Sequence, residues 1–317
     1  MGSHLTRPIY WNVEYVEPFI IPLGVLLVAA VLFGLYKRYQ LWKALGESEV
    51  RWDRAWERFS RLLTSGLGQK KVARHGYAGT LHLLIFIGFA LLFIGTCLVA
   101  IERDIGQMLL GFTPVAFLYG NFYKVFSFVL DVAGVMVIVG CVMALYRRYV
   151  TQPKYLGKDP GYTKWIWLLL IVCITGFYIE GARIAHSAFV VEGDSIVEAE
   201  SSLEKWVSPV GYLTAMILPT AAISPKVQHA VIWWLHGVLS FWLIIGFGWG
   251  VLRHAVTGLA NLFFAPFGSY GTLKPIANME DAETFGVTNV TEFSWKTLFD
   301  SDACVSCGRC EMHCPAT

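Results

Sequence analysis

The stretch "LHGVLSFWLIIGFGWGVLRH", residues 235 to 254, carries a single charged side chain, Arg253, and places His236 and His254 eighteen residues apart. A hydrocarbon core of about 30 Å is crossed by roughly 20 apolar residues in a helix, so this stretch reads as a membrane span. Imidazole inside a span is costly and marks a site. At about 3.6 residues per turn the interval is about five turns, which sets both rings on one face about 27 Å apart along the axis. That distance is too long for one metal and suits two haems, one near each surface.

Four further segments have the same character, so the expected spans are 18–36, 77–101, 122–146, 164–190 and 229–252. The chain as a whole is 56% hydrophobic and 15% charged with 12 Trp. Its mean hydropathy is +0.54. These values exclude an ordinary soluble domain of this length. Aromatic residues mark the span ends, among them Trp11, Tyr36, Tyr77, Tyr123, Tyr146, Trp165 and Trp234, as in a belt at the headgroup level.

Basic residues follow the first and third spans (Lys37, Arg38, Lys43, Arg51, Arg147, Arg148), and acids dominate after the second and fourth (Glu102, Asp104, Glu192, Glu198, Glu204). The positive-inside rule then puts the N-terminus outside and the C-terminus in the cytoplasm. The fold class expected is all-α and integral to a bacterial cytoplasmic membrane: a five-helix transmembrane bundle over residues 1–257. A cytoplasmic linker, 258–303, and the start of a ferredoxin-like iron–sulfur domain, 304–317, follow it. "WDRAWERFSRLL", residues 52–63, spaces Trp52, Trp56, Phe59 and Leu63 as an amphipathic helix lying on the inner surface or packed on a partner. The opening MGSH is compatible with an appended tag, and no removable signal peptide is read there. The chain shows no phosphate-cradling glycine loop and nothing that points to nucleic acid. The net charge of +2 says little in a membrane protein, and the oligomeric state stays open.

Depth sorts the histidines. His75 lies at the inner mouth of the second span and His82 two turns deeper. Either can meet His254 on the inner side, and His82 is the better placed, so the inner haem is expected on His82 and His254. Two readings stand for His75, a contact to a haem propionate or a plain interfacial residue. His236 needs a partner near the outer side, where the second span offers Leu92. His186, at the outer end of the fourth span, is the candidate axial ligand, against a five-coordinate or absent outer haem.

Three costly residues share the outer half: Asp131 in the third span, and Glu180 and Arg183 in "GFYIEGARIAH", residues 176–186. Glu180 and Arg183 stand one turn apart and could simply neutralise each other. The functional reading is a quinone pocket in which Glu180 handles protons, Arg183 holds a quinone oxygen or propionate, and Asp131 extends the proton path.

The chain closes on "CVSCGRCEMHCPAT", residues 304–317. Cys304, Cys307, Cys310 and Cys314 follow the C-x2-C-x2-C-x3-C-P spacing of 4Fe–4S ligands, in which the fourth cysteine of a two-cluster protein serves the other cluster. Two clusters are therefore expected, with the remaining ligands in a second cysteine run beyond this chain. A zinc knuckle and an unliganded loop are the alternatives. A cytoplasmic setting would keep the thiols reduced.

At this point "TLHLLIFIGF", residues 80–89, and the stretch quoted first resemble the dihaem cytochrome b fold of the respiratory nitrate reductase gamma subunit. Joined to the cysteine run, the chain resembles the membrane-bound electron-transfer flavoprotein:menaquinone oxidoreductases, whose soluble half is a heterodisulfide reductase D-like iron–sulfur domain. The resemblance implies electrons passing from a reduced electron-transfer flavoprotein through 4Fe–4S clusters and two haems b to the menaquinone pool. The alternative is a haem b membrane anchor of a heterodisulfide or sulfite-pathway reductase without quinone chemistry of its own.

Overall fold

The computed structural model describes residues 4–113, 115–157, 159–193, 195–268, 279–281, 285–312 and 314. The opening MGS and the 269–278 and 282–284 parts of the expected linker lie outside the described residues. In chain order the elements are β1 (His4–Thr6), α1 (Glu17–Leu45), α2 (Ala55–Arg61), α3 (Lys70–Ala73), α4 (Gly76–Ala100), α5 (Gly120–Tyr146) and α6 (Pro160–His186). They continue with β2 (Ala188–Glu192), β3 (Ser195–Ala199), α7 (Pro209–Ile217), α8 (Pro225–Trp249), α9 (Arg253–Phe263), α10 (Trp295–Asp302) and α11 (Arg309–Met312).

Among the described residues five helical stretches are long and apolar enough to cross a membrane: Glu14–Leu45, Gly76–Leu109, Gly120–Thr151, Pro160–His186 and Pro225–Phe263. Much of their apolar surface faces outward, including Val25, Leu26, Leu32 and Phe33 of α1 and Val125, Val139 and Val142 of α5. That is the surface a lipid-embedded helix presents. The chain divides into two units, one of residues 1–26, 75–151 and 163–242, the other of residues 27–74, 152–162 and 243–317.

In the first unit α4 and α5 lie almost backbone to backbone. A Cβ on Gly88 would stand 2.7 Å from the Ala133 carbonyl oxygen, and one on Gly140 would stand 3.0 Å from that of Leu81. Between spans, where lipid is as apolar as leucine, such small-residue contacts supply the packing.

The all-α expectation is corrected here. β1, β2 and β3 form an antiparallel sheet in that order, with Leu5 opposite Val190 and Val190 opposite Val197. The fourth span accordingly ends at His186, short of the expected 190. The cause is tertiary: Leu5, Val190 and Ala188 gather with Leu118, Tyr123, Phe126 and Val207 into one buried cluster, and Thr6 Oγ1 donates to the Leu118 carbonyl at 2.7 Å.

In the second unit the surface helix α2 starts at Ala55, later than expected, so Trp52 precedes it; Trp56 and Phe59 on α2, Leu63 just beyond it and Trp52 all face outward. Arg58, between them in sequence, is buried instead and donates to the Phe263 and Ala265 carbonyls at 3.0 and 2.9 Å. It thereby satisfies acceptors left over at the C-terminal end of α9. Two backbone hydrogen bonds, Glu47 N to Phe293 O at 2.9 Å and Trp295 N to Glu47 O at 3.0 Å, tie the approach to α10 to the end of α1.

Candidate functional site

The cysteine loop leaves α10 at Asp302 and turns through two residues of positive φ, Ser306 at 48° and Gly308 at 75°. A Cβ at Gly308 would lie 2.1 Å from the Tyr155 carbonyl oxygen, so both backbone sign and space demand glycine there. The Ser306 amide donates to Cys304 Sγ at 3.4 Å, and hydrogen bonds of this kind to sulfur tune iron–sulfur ligands. Cys304, Cys307, Cys310 and Cys314 are all exposed. Among the described residues no three His, Cys, Asp or Glu side chains converge on one point.

His236 of α8 meets Thr175 of α6, with Nδ1 3.0 Å from Thr175 Oγ1. That hydroxyl donates its one hydrogen to its own helix, where the Ile171 and Val172 carbonyls stand at 2.9 and 3.0 Å. Thr175 is therefore the acceptor, and the Val172 carbonyl is a second acceptor for the same ring. The proton sits on Nδ1 and the Nε2 lone pair remains available to a metal. His254 reaches the same state locally: its Nδ1 is 2.7 Å from the Val251 carbonyl, which can only accept. An acceptor placed behind a ligating imidazole in this way orients the ring and raises its basicity.

The five-turn count between these histidines assumes one helix, and the structure interrupts it. α8 stops at Trp249, and Arg253, His254 and Ala255 donate three residues back, to Gly250, Val251 and Leu252. The glycines at 246, 248 and 250 permit the tighter turn, from which α9 restarts.

His82, in α4, is half-buried and stacks on Phe86 at 6.3 Å. His75 stands at the head of α4, its carbonyl accepting from Gly79. His186 has Nε2 3.1 Å from Glu198 Oε1 and its ring 5.1 Å from that of Trp11. His229 approaches the same indole at 4.8 Å.

The buried charges form two groups within the first unit. Asp131, 2% exposed, accepts from the Val210 amide at 2.6 Å and the Gly211 amide at 3.4 Å, at the start of α7. Glu180 is a hydrogen-bond partner of Asp131, and its carboxyl lies so close under Gly211 that a Cβ there would come within 2.8 Å. Arg183 donates to Glu204 Oε1 at 2.8 Å, and the Tyr123 hydroxyl donates to the same oxygen at 3.2 Å. Ser127 and Ser208 bond at 2.6 Å beside them.

This corrects two expectations. Arg183 takes its hydrogen-bonded carboxylate from Glu204 and not from Glu180, and Tyr123 is a buried member of the Arg183 group and not a belt residue. Sequence reasoning missed Glu204, which reads as one more acid in an acidic connection. It missed Thr175 as well, which reads as a neutral residue within a span.

Residues 295–316 match the family described as "4Fe-4S binding domain". The chain is 31% identical over 308 residues to "EtfAB:quinone oxidoreductase" of Syntrophomonas wolfei, covering 96% of this chain and 41% of that one. It is 26% identical over 310 residues to "Probable iron-sulfur-binding oxidoreductase FadF" of Bacillus subtilis, covering 94% and 41%. To "Probable membrane-anchored ferredoxin" of Chromohalobacter salexigens it is 31% identical over 179 residues, 47% and 25% of the two chains. No solved structure matches. The chain spans about two fifths of the length of the first two relatives. With five apolar helices among the described residues and a 4Fe–4S cysteine run, the chain has the elements of a membrane-bound iron–sulfur protein, and over most of its length it is similar to the EtfAB:quinone oxidoreductase.

Proposed function

We propose that the chain is the membrane part of an oxidoreductase that accepts electrons from a reduced electron-transfer flavoprotein and delivers them, with protons, to menaquinone. The observation that carries this reading is the matched state of His236 and His254: each has Nδ1 held by an acceptor, leaving Nε2 to ligate. Bound haems b and 4Fe–4S clusters would supply one-electron carriage between the donor and the quinone.

The chain's own residues do the rest. His82 is a candidate haem ligand, and His254 would hold one haem and His236 the other. His186 would be its second ligand on exchanging Glu198 for iron. Thr175 and the Val251 carbonyl orient the rings. Arg183, fixed between Glu204 and Tyr123, presents a cation to a quinone oxygen, and Glu180 with Asp131 supplies the protons that each quinol requires. Basic loops on the cysteine side support a cytoplasmic location for the clusters. Electrons would then run from a negative inside toward a positive outside, so the reaction draws on the membrane potential.

The test uses the full-length protein in proteoliposomes with reduced electron-transfer flavoprotein and a menaquinone. The reading expects quinol formation that an inside-negative potential accelerates and that His82→Ala abolishes. Quinol formation indifferent to both changes would sink it. A second reading is favoured by the match to a membrane-anchored ferredoxin: a haem-bearing anchor that serves partner subunits and has no quinone chemistry. Unchanged turnover in Glu180→Gln protein would select it.

A further inference from the structure

Within the second unit, three polar atoms are buried in one place without a hydrogen-bond partner among the described residues: Trp42 Nε1, Arg253 Nε and Asp302 Oδ2. The side chains that carry them converge. Arg253 and Arg38 both point a guanidinium nitrogen at Asp302 Oδ1, at 3.1 and 3.6 Å. Trp42, one helical turn beyond Arg38 on α1, packs edge-on against Phe299 at 4.7 Å, and Phe299 is one turn before Asp302 on α10. Two guanidinium groups against one carboxylate leave the cluster net positive. Its two unmet donors are an indole N–H and a guanidinium N–H.

A buried polar atom without a partner costs about 1–3 kcal/mol, so two donors and a surplus cation in one spot are what an anionic acceptor would satisfy. Arg253 is the residue before His254, whose Nε2 is left to ligate. We propose that Arg38, Trp42 and Arg253 form a carboxylate seat whose occupant is a propionate of the haem held by His254. The seat rests on the functional reading above and adds to it the residues that anchor the haem edge. A propionate is the charged part of a haem and is expensive to leave in hydrocarbon. The end of α1 and the start of α9 are where basic side chains cluster to receive it. Asp302, held by the same two guanidinium groups, lies two residues before Cys304, so seating the haem and fixing the cysteine loop share one set of contacts.

The test uses full-length holoprotein with haem carrying isotope-labelled propionates, read by redox-difference infrared spectroscopy and by potentiometric titration. Arg253→Gln and Trp42→Phe are expected to shift the labelled carboxylate bands. Arg253→Gln should also lower one haem's midpoint potential, because it removes a cation, whereas Asp302→Asn should raise it. Arg253→Lys keeps the charge for folding and still removes the Nε–H, so its band shift remains readable. Bands unmoved in all three variants at Arg253 and Trp42, with the haem retained, would overturn the seat alone. Full haem content in His254→Ala protein would overturn the haem assignment beneath it. A phospholipid bound to the wild type and lost in Arg253→Gln, with unmoved bands, would give the seat to a lipid phosphate and also overturn the proposal.

Discussion

Arg183 and Glu204, twenty-one residues apart in sequence, are paired at 2.8 Å with both side chains almost fully buried. Glu180, one turn from Arg183 on the same helix, instead lies with Asp131. The nearest opposite charge in sequence is thus not the hydrogen-bonding partner. The result is two separate carboxyl environments, one joined to a cation and one joined to another acid.

Breaking the first environment leaves a buried guanidinium uncompensated. Removing one partner of a buried ion pair costs about 3–5 kcal/mol. Glu204→Ala is therefore expected to lower the thermal midpoint of the detergent-solubilised protein strongly, and Glu204→Gln, which keeps an acceptor oxygen for Arg183, to lower it less. Equal and small shifts would mean that water compensates the cation.

The second environment is where proton transfer should be lost. General acid–base groups contribute about 10²–10⁴-fold, so Glu180→Gln should depress menaquinone reduction by about 10²-fold or more while haem content and cluster reduction by the donor persist. Asp131→Asn should act in the same direction but also loosen α7, because Asp131 accepts the Val210 and Gly211 amides. Quinol formation and the haem spectrum, measured on the same preparation, separate the two effects.

Thr175 offers a test of ligation that spares the ligand itself. Loss of the hydrogen-bond partner behind a metal ligand weakens metal binding by about 10–100-fold. Thr175→Val removes the hydrogen-bond partner at His236 Nδ1 and should release one haem more readily on detergent washing, whereas His236→Ala should lack that haem from the start. A pyridine haemochrome assay reads both. Two haems retained in both proteins would remove His236 from the ligand set.

The turn before α10 should respond to acid. Glu292 accepts from the Asn289 side chain and from the Thr288 and Asn289 amides, and these bonds hold its carboxyl down to about 2. A carboxyl depressed in the fold stabilises it above the unfolded value and loses that contribution as pH falls through the folded one. Amide protection of residues 288–293, taken relative to the free peptide at each pH, should therefore hold down to about pH 4.5, where free glutamate titrates, and fall toward pH 2. Glu292→Gln should exchange faster at neutral pH with no acid-dependent step.

Much of the fold can be read from composition and spacing, because both follow from rules local in sequence. Five runs of about 20 apolar residues can satisfy their backbone in lipid only as helices, and the structure has five such helices. The C-x2-C-x2-C-x3-C run identifies its own chemistry, and the matched 4Fe–4S family covers the same residues. Glu204 was not legible, because nothing in "SSLEKW" separates it from the exposed acids of the same connection. Its burial depends on Arg183 and Tyr123 arriving from two other helices.

Residue type and interval were enough to read five helices long and apolar enough to cross a membrane, histidines within them, and a cysteine run suited to iron and sulfur, and the described residues carry those five helices. Each of these depends on residue type and interval, which hydrocarbon thickness and ligand chemistry translate directly into structure. The tertiary structure sets Thr175 behind His236, pairs Arg183 with Glu204, and joins the first strand to the hairpin after α6. Those outcomes depend on contacts between distant segments, and burial makes such contacts decisive: away from water, a charge or donor must find its partner within the protein.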